Sequence, residues 1–175
     1  MFDLAKLLSG GDLRSIGRSG SVISKIKSQS DFDELFGYLF HHDRIVVMRA
    51  ADVIEKITLT KPGYLRNHAQ EIISLSGKAK NKELIWHLAQ LFSRLRLDRS
   101  EFKSSWNILT MWAKDKTNSR IVRVNSLQAL FDLLSQDKIL LGDFNLLLYE
   151  LEEENIPSIK ARIKMIRSKL HKELK

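Results

Sequence analysis

The chain has 175 residues, of which 43% are hydrophobic, and it carries a formal net charge of +8 and no cysteine. That length and apolar share suit a folded chain with a sizeable core, and the absence of cysteine excludes disulfides, thiolate metal sites and cysteine nucleophiles. The positive balance raises nucleic acid and other acidic partners as candidates, but acids punctuate the basic residues along the chain, as on any solvated basic surface.

Two prolines and eight glycines in the whole chain suit long helices joined by short turns better than an all-β fold. The opening MFDLAKLLSGGDLRS is broken by Asp3 and Lys6, and it lacks the basic start and long apolar run of a secretory signal. No run of about 18 apolar residues follows, so no membrane-spanning helix is expected, and the absence of cysteine fits the reducing cytoplasm expected as its location. Residues 1–30 are read as a flexible or capping segment. Gly10, Gly11, Gly17 and Gly20 loosen it, and SGSVISKIKSQS (19–30) is a candidate capping helix.

From residue 31 the chain repeats. DFDELFGYLFHHD (31–43) predicts a first helix, and RIVVMRAADVIEKI (44–57) a longer second one. PGYLR (62–66) makes an irregular entry to the next pair, NHAQEIISLSGKAKN (67–81) and KELIWHLAQLFSRL (82–95). FKSSWNILTMWAKDKTN (102–118) and RIVRVNSLQALFDL (120–133) form the third pair. The last pair is DFNLLLYELEEE (143–154) and IPSIKARIKMIRSKL (156–170), with Pro157 in the first turn, where no amide donor is needed, and a stripe of Ile159, Ile163, Ile166 and Leu170.

The second helices align at a step of 38 residues. Ala51, Ala89 and Leu127 share one position, as do Ile54, Phe92 and Leu130, then Ile57, Leu95 and Leu133. Val53, Leu91 and Ala129 widen the same face. Asp43, Asn81 and Asn118 precede the three helices as candidate N-caps. Among the first helices, Leu35, Ile73 and Met111 coincide, and so do Phe36 and Trp112. Trp86, aligned with Met48 and Val124, is expected in the core.

A two-helix unit repeated at this period predicts an all-α fold, a right-handed α-solenoid of about four repeats over residues 31–175, because one helical pair cannot bury both its faces. HHDRIVVMRAADVIEKI, with an Asp-containing turn and Arg49-Ala50-Ala51 in its second helix, resembles a HEAT repeat. MRAADVIEKIT, WHLAQLFSRL and SRIVRVNSLQALFDLL together resemble small bacterial HEAT-like proteins. The resemblance implies a fold of HEAT/armadillo type whose second helices line a concave surface, and it implies little about chemistry.

A second set of aligned positions is polar: Arg49, His87 and Asn125; Asp52, Gln90 and Gln128; Lys56, Arg94 and Asp132. If stacked, they form a ladder that Lys164 and Arg167 would extend in the fourth unit. The ladder is either a recognition groove or simply the wet face every helix needs. The five histidines lack ligand-type spacing, and no metal motif, phosphate-binding loop or nucleophile elbow is present. No metal, no cofactor and no enzymatic activity are therefore expected. The expected role is a non-enzymatic scaffold that binds a protein or peptide through the concave face, with nucleic-acid binding through the basic surface as the alternative. Within that alternative, NILTMWAKDKTNSRIVRVNSLQAL holds a Trp, an Asp and an Arg-rich helix start in an order similar to HEAT-like alkylpurine DNA glycosylases, with no motif of that family matched residue by residue.

Overall fold

The computed structural model describes residues 4–9 and 19–173. The expected disorder at Gly10, Gly11 and Gly17 lies outside them. Among the described residues there are ten α-helices, three short 3-10 helices and no strand. The chain divides into two compact units, 1–69 with 94–96, and 70–93 with 97–175.

The first unit is built on α4 (Arg44–Thr60), against which α1 (Leu4–Leu8), α2 (Ser19–Lys25) and α3 (Gln29–Gly37) pack. The first helix of the first pair begins at Gln29 rather than 31, because Ser28 caps it. The Ser28 hydroxyl accepts from the Asp31 amide and the Asp31 carboxylate accepts from the Ser28 amide. Asp43 caps α4 as expected, accepting from the Ile45 amide. The irregular entry at PGYLR is a 3-10 turn, Pro62–Leu65.

The second unit holds α5 (Ala69–Ser76), α6 (Lys82–Phe92), α7 (Arg99–Lys114), α8 (Arg120–Leu133), α9 (Leu141–Glu152) and α10 (Pro157–Glu173). The amphipathic α8 packs against α6, α7 and α10, and α9 packs on α10. Helices α7 and α8 form a hairpin whose closing turn is held by the Asn118 side-chain amide donating to the Trp112 carbonyl, 3.2 Å. The cap of α8 is Ser119, whose hydroxyl accepts from the Val122 amide, and not Asn118. Asn81 stands at the cap position of α6 without a side-chain cap bond. Asp98 closes a full capping box with Glu101 on α7. Between α9 and α10, Asn155 turns the chain at φ 54°, a left-handed conformation that Asn tolerates better than branched residues.

All twelve apolar positions aligned on the second helices are buried. The alignment of the first helices holds less well. Leu35 is fully buried, Ile73 only partly, and Met111 is 56% exposed, whereas Phe36 and Trp112 are both core residues. Trp86 is partly exposed and not in the core. Ile159, Ile163 and Ile166 are buried along α10, and Leu170 partly so.

Candidate interaction surface

In the second unit α8 sits between α6 and α10, so only one strip of α8 meets solvent. That strip runs Ile121, Val124, Asn125, Gln128 and Asp132, at the offsets of one helical face. Ile121 is 43% exposed and the others partly. Helix α10 contributes a parallel stripe. Arg162 donates to the Gln128 side-chain oxygen at 2.6 Å, and the Lys169 ammonium lies 5.9 Å from the Phe131 ring centre, so contacts advance together along both helices. Met165, between Arg162 and Lys169 on that stripe, is 55% exposed. On α6, beyond its first turn, Trp86 and Gln90 are partly exposed.

The surface is apolar at Ile121, Val124 and Met165, and polar at Arg162, Gln128 and Asp132. The polar part is pre-arranged, since Gln128 accepts from Arg162 and donates to Asp132 at 2.8 Å. A side-chain amide held from both sides loses less freedom when a ligand arrives.

The opposite face of α8 anchors it. Arg123 is 3% exposed, its Nε donates to the Ala113 carbonyl at 2.8 Å, and its Nη2 pairs with Glu154 at 2.9 Å. That hydrogen bond, outweighing partial burial, holds the Glu154 carboxyl below the usual carboxylate range. Arg123 thus ties α8 to the end of α7 and to the turn before α10.

The sequence-derived ladder fares unevenly. Arg49 is 2% exposed and donates to the carbonyls of Leu8 and Ser9, satisfying the C-terminal end of α1 rather than facing solvent. His87 is 7% exposed, its ring 5.4 Å from that of Trp86. Asp52 and Lys56 pair with each other at 2.6 Å on α4. Arg94 belongs to the first unit, where it pairs with Glu55 and donates to the Thr58 hydroxyl. Gln90 and Asn125 are partly exposed. Gln128 and Asp132 are brought together, Lys164 is exposed, and Arg167 pairs with Glu152 at 2.7 Å.

The surface residues outside the aligned polar columns are Trp86, Ile121, Val124, Arg162 and Met165. The partly exposed aligned column is Met48, Trp86 and Val124, one residue before the polar column at 49, 87 and 125. Among the described residues there is no cluster of three or more His, Cys, Asp or Glu able to hold a metal ion, and no helix long and apolar enough to cross a membrane.

Fold and surface together define an all-α protein with an amphipathic helical face partly open to solvent. No family model, no curated protein and no solved structure matches the chain.

Proposed function

We propose that this chain is a non-enzymatic interaction module of HEAT-like helical pairs, acting in the cytoplasm and holding a protein partner against the face of α8 between α6 and α10. The observation that carries the reading is the mixed character of that face: exposed Ile121 and Met165 with partly exposed Val124, beside the hydrogen-bonded set Arg162, Gln128 and Asp132. Protein interfaces likewise combine an apolar centre with polar groups at its edge. A phosphate backbone asks instead for unbroken positive charge. Burial of all twelve aligned apolar positions, and the stacking of α6, α8 and α10, support the repeat reading.

Affinity capture with the wild-type chain and with Val124→Glu tests it. Val124 is partly exposed, so the variant keeps its fold. A stoichiometric protein lost from V124E and retained by an exposed control, Lys116→Glu, supports the reading. Equal retention by both variants contradicts it.

One observation favours nucleic acid as a second reading. Lys160, Lys164, Arg167 and His171 recur at offsets of four, three and four on α10, and no acid lies between residues 157 and 172. Binding through that stripe would weaken steeply with salt, and loss of two lysines would lower the salt slope by about two. If duplex DNA or RNA is not retarded at about 50 mM salt, where such binding is strong, this second reading fails.

A further inference from the structure

A second surface lies on α7 and α9, apart from the face assigned above. A cavity of about 770 Å³ opens between α7 and the segment leading into α9. Its apolar lining includes Phe102 and Trp106, whose rings stack with centroids 5.9 Å apart, and Leu140. One wall is net basic, with Arg99 and Lys103 of α7 beside the helix-capping Asp98. The other is acidic, with Asp137 ahead of the 3-10 turn Lys138–Leu140 and Asp143 in the first turn of α9. On the lip stands Ile139, 81% exposed. The apolar character continues along both helices. Trp106 meets Phe144 with ring centres 6.2 Å apart and, further along both helices, Lys114 pairs with Glu150 at 2.6 Å, so α7 and α9 run parallel; Met111, Leu146 and Tyr149 near that pair are 56%, 66% and 62% exposed.

Exposed apolar area of this kind marks an interaction site. What it binds follows from its composition. One face carries both a hole and a protruding side chain that does not fill it, and both a basic and an acidic wall. A foreign partner needs only one member of each pair. A two-fold contact between identical copies needs both, because every residue meets its complement on the other copy.

We infer that the α7–α9 face is a homodimer interface, in which Ile139 of each copy enters the Phe102–Trp106 cavity of the other and the basic wall of α7 meets the acidic wall of the second copy. The two-fold axis places Lys103 opposite Asp143 twice.

Sedimentation equilibrium of the full chain tests this at up to about 100 μM, above the micromolar affinity expected for a small interface. The wild type is expected at twice 20.2 kDa. Ile139→Glu, Lys103→Glu and Asp143→Lys each shift the equilibrium at least tenfold toward monomer. Helicity by circular dichroism stays at the wild-type level, since all three sites are exposed. An equimolar mixture of K103E and D143K recovers a dimer. In the mixed pair the two substituted side chains face each other with opposite charges, and the second contact keeps its native Lys103 and Asp143. A monomeric wild type overturns the inference, as does a dimeric I139E. Monomers that persist when K103E and D143K are mixed overturn the charge pairing on which the two-fold contact rests. A wild type that stays monomeric yet binds a small hydrophobic probe in the cavity identifies a ligand pocket instead and counts against the dimer.

Discussion

Replacing Arg123 with methionine removes the anchor on the buried side of α8 while keeping most of its volume. Two partners lose their donor. The Ala113 carbonyl loses a hydrogen bond worth about 1 kcal/mol, and the Glu154 carboxylate loses a charged one worth about 1.5–3 kcal/mol. Removing one member of a fully buried pair costs about 3–5 kcal/mol. Glu154 keeps 15% side-chain exposure, so it can turn toward water, and about 3 kcal/mol is the expected loss. Urea denaturation followed by tryptophan fluorescence reads this loss in the right place, because Trp86, Trp106 and Trp112 all belong to the second unit. The pair also predicts a pH dependence. Arg123 depresses the folded-state pKa of Glu154 below its ordinary 4.5, so the stabilisation is complete above that value and is lost as pH falls through the lower folded value. The wild type should lose this component below about pH 5, and R123M, which never had it, should show a flatter acid limb. A variant within about 0.5 kcal/mol of wild type at neutral pH, or one with an unchanged acid limb, would refute the reasoning.

Three further outcomes follow from local geometry. Asp98→Ala should cost about 1 kcal/mol, since its carboxylate accepts from the Glu101 amide, whereas Asn81→Ala should cost far less because that side chain makes no cap bond; thermal melts distinguish the two. Arg49→Ala should loosen α1 by uncapping Leu8 and Ser9, read as faster amide exchange in residues 4–9 and little change in the second unit. Asn155→Val should destabilise by about 1–2 kcal/mol and Asn155→Gly by less, since only the branched side chain resists the left-handed backbone; chemical denaturation measures both.

The core was legible in the sequence because a repeating apolar face has one physical cause, burial, and all twelve aligned side chains obey it. Caps were legible by type but not by position. At 118–119 two capping residues stand side by side, and only backbone geometry gives the role to Ser119 while Asn118 closes the turn. Met111 misled because, at the same step that keeps Phe36 and Trp112 both in the core, it falls on the exposed side of α7. The candidate surface was least legible. Polarity assigned Arg49 and His87 to solvent, yet a long guanidinium can cap a neighbouring helix from within the core, as Arg49 does for α1. Conversely Trp86 was assigned to the core because it aligns with the apolar Met48 and Val124, and an interaction face that is itself apolar carries no signal in a reading based on polarity.

The central claim is that the exposed face of α8 holds a protein partner. Photo-crosslinking from a benzophenone amino acid at position 124, with position 116 in the adjacent turn as control, tests it most directly. One discrete protein adduct from 124 and none from 116 is the predicted result. Adducts of equal intensity from both positions, or none from 124, would contradict it.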